Sequence, residues 1–161
     1  MKYGYYQVCE ALQSAATSAS YVNSVTWGNI FDVDMRKMTL FPLCHILTGT
    51  ADIQERTVTY SIDVLVMDVV DYSKQDPNIP PYSFEGVAQK QDIYHRSLFT
   101  LQEMIASLRR GDLYSDGFRL VNDPTCEPFE EDFVNTLCGW EATLQIETPI
   151  PTICCSMAQG T

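Results

Sequence analysis

One stretch of the sequence, ERTVTYSIDVLVMDVVDYS at residues 55–73, limits the folds open to this chain. Its residue pattern predicts a strand over 58–71, about 45 Å long at the usual rise per residue, whereas globular strands usually have about five or six residues. In its first half polar and apolar residues alternate, but from Val64 to Met67 both faces are apolar. We interpret the alternating half as an exposed arm of a hairpin and the apolar half as a strand that crosses the core under a helix.

The elements around this strand predict an α+β fold. Apolar residues that recur at three and four positions predict helices over about 4–19 and 89–110. Other apolar or alternating stretches predict further strands, at 24–34, 39–47, 118–121 and 135–150. We therefore expect a single domain over 1–161, with a mostly antiparallel sheet, a long hairpin and two helices packed on one face.

Two segments fall outside this pattern. Residues 73–89, SKQDPNIPPYSFEGVAQ, contain three prolines and predict a flexible loop, of a length that is usually functional in compact domains. Residues 151–161, PTICCSMAQGT, are partly apolar but have no helical periodicity. We expect this tail to dock on a surface, either its own or that of a neighbouring molecule.

Charge and hydropathy restrict the partners. The formal net charge is −11, and the ten Lys and Arg residues are spread along the chain. Binding through phosphates needs clustered basic residues, so we expect no sequence-specific nucleic-acid binding. The sequence has no run of 18 apolar residues and no apolar signal core near its start. We therefore expect neither a membrane span nor a signal peptide.

The residues that could carry chemistry are few. The six cysteines lack the paired spacing of a zinc site, and we expect reduced thiols that are mostly buried. No phosphate-binding loop, zinc-protease motif or serine-hydrolase motif is present. Of the two histidines, we expect His45 to be a core residue and His95 to be solvated. These features predict no catalytic residues, no cofactor and no metal site.

Two pairs of carboxylates are the alternative to that expectation. Asp32 and Asp34 form D-x-D, and Asp68 and Asp71 form D-x-x-D. Such pairs hold divalent cations in some enzymes, and alternate residues on a strand share a face. The pattern is short, no Lys or His base accompanies it, and the chain has 21 acidic residues. We therefore favour a solvated or interface face, with a divalent-cation-dependent enzyme using Asp32 and Asp34 as an alternative.

Several phrases of the sequence resemble a group of small virion proteins of tailed bacteriophages. The phrases are VTWGNIFDVDMRKMTLFPLCHILTGTA at 25–51, YSIDVLVMDVVD at 60–71, LRRGDLY at 108–114 and EPFEEDFVNTLCGWEATLQIETP at 127–149. The resemblance is to neck or tail-completion proteins of phages that infect Bacteroidetes, including crAss-like phages. Those proteins are themselves similar to the tail terminators of long-tailed phages.

The resemblance implies a structural, non-enzymatic protein of the virion, assembled in the host cytoplasm. It implies a homo-oligomeric ring of six or twelve copies, acting as head–tail connector or tail terminator between neighbouring neck, portal and tail proteins. DNA would pass through the ring along an acidic wall. We expect the wet half of the long strand and the loop at 73–89 to make the contacts between copies. A small acidic cytosolic binding or regulatory protein is the other alternative.

Overall fold

The computed structural model of the chain describes residues 4–30, 33, 37–132 and 136–150. Two helices are present in these residues, α1 at Tyr5–Ser18 and α2 at Ala88–Arg109. The strands are β1 Ser24–Trp27, β2 Leu43–Ile53, β3 Thr57–Val69, β4 Arg119–Leu120, β5 Cys126–Asp132 and β6 Thr136–Pro149. Single 3₁₀ turns lie at Met38–Leu40 and Tyr72–Lys74.

All six strands join one sheet. Its order is β1-β2-β3-β6-β4, and β5 pairs with the other half of the same β6 edge that β4 occupies. Every pairing is antiparallel except that of β1 with β2. Both helices contribute to one core cluster on a single face of the sheet. The prediction of an α+β fold with a mostly antiparallel sheet is therefore confirmed.

The long strand is central in the sheet. Strand β3 has 13 residues, Thr57–Val69, so its predicted length is confirmed. It is not a free arm, because β2 pairs with one of its edges and β6 with the other along its whole length. The prediction of an exposed arm is therefore wrong for β3. Among the described residues the unpaired edge of this hairpin belongs to its other strand, β2, because β1 pairs with Leu43–Ile46 alone.

The main core lies between the sheet and the two helices. Helix α2 contributes Leu101, Met104 and Leu108 to this core, and Ile105 packs against its rim. Leu101 and Leu108 are buried, whereas Leu98 and Ile105 line a surface groove. The buried face of α2 also includes Ser97, Thr100 and Met104. The main cluster comprises Val8, Leu12, Ala15, Ala16, Cys44, Ile46, Ile62, Val64, Val66, Leu101, Met104, Leu108, Ala142, Leu144 and Ile146.

A second cluster lies on the opposite face of the sheet, against one end of β3. Leu43, Met67 and Leu137 are fully buried there, although neither of the two described α-helices covers this face. Ile30, Val33 and Leu40, from the connection between β1 and β2, pack against them. This cover explains why β3 is apolar on both faces in its second half, as the sequence predicts.

The connection from β3 to α2 is tied by its own hydrogen bonds. The Ser83 hydroxyl donates to the carbonyl oxygen of Pro80 over 2.7 Å and accepts from the N–H of Gly86 over 3.0 Å. A Cβ atom on Gly86 would lie 2.0 Å from the Pro80 oxygen, so only glycine fits this close approach. The connection therefore presents its side chains from a defined backbone. Neither helix in the described part of the chain is apolar enough over sufficient length to cross a membrane.

Candidate assembly surface

Half of the helix-free sheet face is open and acidic. Asp63 of β3 lies opposite Thr143 of β6, whose hydroxyl donates to an Asp63 oxygen over 2.6 Å. One rung further, Glu141 of β6 lies opposite Glu127 of β5. Alternation places Asp63, Glu127 and Glu141 on the same face. This half of the sheet thus presents three carboxylates where the other half carries the second apolar cluster.

The carboxylates on this open acidic face affect one another. Partial burial raises the pKa of Glu141 above its ordinary value, and the charges of Asp63 and Glu127 raise it further. At the far corner Arg119 donates to Glu147 over 2.8 Å and neutralises that carboxylate. The arrangement raises the free energy of the charged form of Glu141, and the negative charges of this face disfavour the approach of an anion.

The second feature is the unpaired edge of β2. The N–H of Gly28 donates to the carbonyl oxygen of Ile46 over 3.0 Å, and there β1 leaves β2. Gly28 has φ +102°, a left-handed conformation that directs the chain away from the strand. In the described part of the chain no strand lies beside the rest of β2. Its last residues are exposed, Ile53 to 78%.

Aromatic side chains flank this edge on the helix side. The Tyr5 ring lies 5.9 Å from that of Trp27 in an edge-to-face arrangement and 5.6 Å from that of Tyr60. The Tyr5 hydroxyl and the Thr48 hydroxyl are 2.7 Å apart. Tyr5 and Trp27 remain more than one-third exposed. An aromatic shelf of Tyr5, Trp27 and Tyr60 therefore lies next to unpaired backbone.

The connection between β3 and α2 supplies a third exposed feature. Tyr82 and Phe84 project from it and are 87% and 81% exposed. Beneath it lies a cavity of about 330 Å³ between the loop and the start of α2, with Val70, Ile79 and Lys90 among its lining residues. Two large apolar rings in water, on a backbone held by its own hydrogen bonds, are typical of a contact surface.

The predicted cation ligands are engaged elsewhere or lie outside the described residues. Asp32 and Asp34 are outside them. Asp68 accepts from the Tyr21 hydroxyl over 3.0 Å and from the N–H of Val69 over 2.7 Å. Asp71 caps the 3₁₀ turn, and hydrogen bonds from Ser73 lower its pKa. Among the described residues no group of three or more His, Cys, Asp or Glu side chains is arranged to hold a metal ion.

His45 is a structural residue at the junction of β1 and β2. It is 1% exposed, and its Nδ1 and Nε2 atoms lie 2.7 Å from the Thr26 hydroxyl and from the Gly28 carbonyl oxygen. Because the carbonyl can only accept, Nε2 carries the proton. Burial lowers the pKa of His45, so the neutral ring is favoured.

The described cysteines are free thiols. Cys44 and Cys138 are buried, and burial raises the pKa of each to about 12. Cys9 and Cys126 are partly exposed, and burial raises their pKa as well. A raised pKa keeps a thiol protonated and poorly nucleophilic, so these four residues behave as small apolar side chains. Cys154 and Cys155 lie outside the described residues.

The sequence analysis missed two parts of this surface. The sequence predicts no strand between those at 118–121 and 135–150, yet residues 126–132 form β5 and bring Glu127 to Glu141. Pro is compatible with an edge strand, which is the signal that could have identified it. The unpaired edge was assigned to β3, because periodicity reports faces and not strand order.

The comparisons with known proteins give no relative. No protein-family model matches the sequence, and a search of curated proteins gives no match. The bacteriophage resemblance therefore remains a prediction from the sequence.

Proposed function

We propose that this chain is a structural virion protein of a tailed bacteriophage that forms a ring in the neck or tail. The ring would act as a head–tail connector or tail terminator, joining portal-side and tail-side components around the DNA channel. The observation that carries the proposal is the open acidic face, which lies in the same sheet as the unpaired β2 edge. The sequence resemblance supplies the class of particle.

The charge of the open acidic face suits a wall along which DNA slides. Asp63, Glu127 and Glu141 lie on one half of the sheet, and the whole chain carries a net charge of −11. Phosphates are repelled by such a surface, so the polymer passes without binding. An acidic lining of this kind needs no sequence recognition and no catalytic group.

The contacts between copies would use backbone and apolar groups. An unpaired strand edge associates readily with another strand. The β2 edge and the exposed rings of Tyr82 and Phe84 provide such groups at two separate places. Copies arranged head to tail close into a ring when their rotation suits. Since each copy carries −11, the repulsion between copies must be overcome by these contacts.

Mass spectrometry of purified virions tests the location. The phage whose genome encodes this chain is purified by density gradient, and its proteins are quantified against the portal protein. We expect the chain in a fixed ratio of six or twelve copies per particle. The matched control is an infected-cell lysate freed of particles. Abundance in the lysate without a fixed amount in virions would contradict the proposal and favour a cytosolic binding protein.

Light scattering of the purified protein tests the ring. Salt screens repulsion beyond about 10 Å at 0.1 M, so oligomers should become more abundant as sodium chloride increases from low concentration. A Tyr82→Ser/Phe84→Ser variant should assemble less at every salt concentration. Tyr114→Ser is the matched control, because Tyr114 is also 87% exposed but lies elsewhere in the sequence. Equal assembly of all three proteins would remove the loop from the proposed contacts.

A further inference from the structure

The sheet has a second unpaired edge, on the outer side of β5. Strand β5 pairs with β6 through one of its edges, and among the described residues no strand lies beside the other. Strand β4 does not cover it, because β4 pairs with a different part of β6, at Ile146 and Glu147. Seven residues of open strand, about 23 Å at the usual rise, are therefore available for pairing.

The register of β6 shows which backbone groups of β5 face outward. The N–H of Val121 donates to the carbonyl oxygen of Gln145 over 2.9 Å, so the odd-numbered residues of β6 direct their backbone groups towards β4 and β5. Odd-numbered residues of β5 pair with them, which leaves the even-numbered residues facing outward. Since proline has no N–H, four carbonyl oxygens and three N–H groups are open to a further strand, on Cys126, Pro128, Glu130 and Asp132.

A groove of about 370 Å³ lies between α2 and the start of β5, with Leu98, Ile105 and Cys126 among its lining residues. The even-numbered side chains of β5 face this helix side. Cys126 packs against the main core, and Glu130 binds Lys90 of α2 over 2.6 Å. The groove is therefore placed to receive every second side chain of a strand added to β5.

The opposite side of the same edge is acidic. Glu127 and Glu131 are exposed, and alternation places both on the helix-free face of the sheet. Within the described part of the chain neither forms an ion pair with a Lys or Arg side chain. These charges oppose pairing of this edge with the same edge of a second copy and favour a strand of opposite charge.

We propose that the outer edge of β5 binds an extended segment of a partner protein in which basic and apolar residues alternate. The segment would add to the sheet as a strand. Its apolar side chains would enter the groove beside Leu98 and Ile105, and its Lys or Arg side chains would lie opposite Glu127 and Glu131. Main-chain hydrogen bonds provide affinity in this mode of binding, and alternate side chains provide specificity.

The proposed site is contained in a single copy of the chain, so it does not depend on the proposed ring. Asp63 and Glu141 lie further from the β5 edge, on β3 and β6, and would stay open on the acidic face. The chain's own residues 151–161 contain no Lys or Arg, so they lack the charge that this edge selects.

Peptide titration of the full chain tests the site. The probe is a fluorescently labelled peptide with blocked ends, Lys-Val-Lys-Val-Lys-Val-Lys, which matches the seven residues of β5 in length. The control peptide, Lys-Lys-Val-Val-Val-Lys-Lys, has the same composition and charge without the alternation. At 0.15 M salt, where exposed charges are screened beyond about 8 Å, fluorescence anisotropy should show at least about tenfold tighter binding of the alternating peptide.

Hydrogen exchange followed by NMR locates the bound peptide. The outward amides of Cys126, Glu130 and Asp132 should exchange about tenfold more slowly, or slower still, once the peptide is bound. The amides of the odd-numbered residues of β5 already face β6 and should change little.

Charge variants test the recognition of basic side chains. Glu127→Gln/Glu131→Gln should weaken binding of the alternating peptide by roughly three- to tenfold, because both opposing charges are removed and the backbone is kept. Glu55→Gln/Glu103→Gln is the matched control, since it removes two exposed carboxylates elsewhere and should bind like the wild type. Equal losses in the two variants would reduce the interaction to net charge and overturn the proposal.

The remaining outcomes are also decisive. Equal affinity for the two peptides would mean attraction by charge without an added strand. Slower exchange at the exposed end of β2 instead of β5 would place the peptide on the other edge of the sheet. Slow exchange of the outward β5 amides before peptide is added would show that the chain covers its own edge. Each of these results, like an absence of binding, overturns the proposal and leaves the proposed ring untouched.

Discussion

The two halves of β3 differ in how much of their surface is buried. From Val64 to Val69 the strand lies between the helices on one face and Ile30, Val33 and Leu40 on the other, and most of its side chains are buried. From Thr57 to Asp63 one face of the strand still packs towards the helices. The other face is partly exposed and includes Asp63. The inner half therefore holds the fold, whereas the outer half has side chains available for contacts.

This difference separates the residues that stabilise the protomer from those whose side chains are available for association. Burying a side chain in the inner half stabilises the protomer and leaves nothing for a partner. In the outer half the backbone of β3 is fully paired, yet side chains and the adjacent β2 edge remain accessible. Substitutions in the inner half should thus change unfolding, and those in the outer half should change association.

The largest effect should come from the inner half. Met67 is fully buried in the second cluster, and Met67→Ala should lower the free energy of unfolding by about 2–5 kcal/mol, because it leaves a cavity. Ile53→Ala, on the exposed β2 edge, is the matched substitution and should change it by less than about 0.5 kcal/mol. Urea unfolding measures both. Similar losses would remove the distinction between the halves.

The close approach of the β6 backbone at Gly139 to the β3 backbone gives the second test. A Cβ atom on Gly139 would lie 1.9 Å from the Val66 oxygen and 2.9 Å from the Met67 Cα, in the inner half. Gly139→Ala must separate two paired strands, so it should cost about 1–3 kcal/mol or more. At Gly49, in the bulge of the outer half, the nearest contact would be 3.0 Å, to the Ser61 oxygen. Thermal unfolding should therefore show a smaller loss for Gly49→Ala.

Sequence periodicity predicted the faces of the elements better than their neighbours. The length of β3 and its change from one dry face to two followed from residues 57–70 alone, because side-chain alternation is local. That β2 carries the free edge of the hairpin depends on where β1 ends, at Trp27, and on the order of the strands. The buried face of α2 could not be predicted in full from the sequence either, because it includes the polar residues Ser97 and Thr100.

The charge of the candidate assembly surface could be predicted from the sequence, but the strand pairing that brings its residues together could not. A net charge of −11 and the acidic face of the strand at 135–150 were readable directly. The meeting of Glu127 with Glu141 required β5, a strand that contains Pro and mostly acidic residues. Asp32 and Asp34 lie outside the described residues, so the expectation for that pair stays a prediction.

The pH dependence of the free energy of unfolding offers a third test, at His45 where β1 and β2 pair. Burial lowers the pKa of His45 below its unfolded value of about 6.5, so the unfolded chain takes up the proton first as the pH falls. This contribution to stability is complete above pH 6.5 and decreases below it, by at most about 1.4 kcal/mol per pH unit. Urea unfolding at pH 7.5 and 5.5 should show the loss.

Two variants isolate the contribution of His45. His45→Gln keeps polar atoms near Thr26 and Gly28 but does not titrate, so its stability should fall less between the two pH values. His95→Gln, on the exposed side of α2, should retain the pH dependence of the wild type. If His45→Gln and the wild type lose stability equally, another group is responsible.

The smallest effect should come from the open acidic face and should have the opposite sign. Partial burial, Asp63 and Glu127 raise the pKa of Glu141, so the folded state disfavours its charged form. For an acid with a raised pKa, stability decreases as the pH rises through that pKa. Glu141→Gln should therefore stabilise the protomer at pH 7, by less than about 1 kcal/mol, and the gain should shrink as the pH approaches 4.5.

That sign connects the open acidic face to association. A carboxylate whose charged form is disfavoured by its own protomer does not stabilise the fold at pH 7, so its removal can be used to test association separately from folding. Glu131→Gln, on the exposed face of β5, is the matched control and should have a smaller effect on unfolding at pH 7. If the copies assemble as proposed, Glu141→Gln should also shift assembly to lower salt, because one repulsive charge per copy is gone. Destabilisation at pH 7 would instead make Glu141 a structural residue.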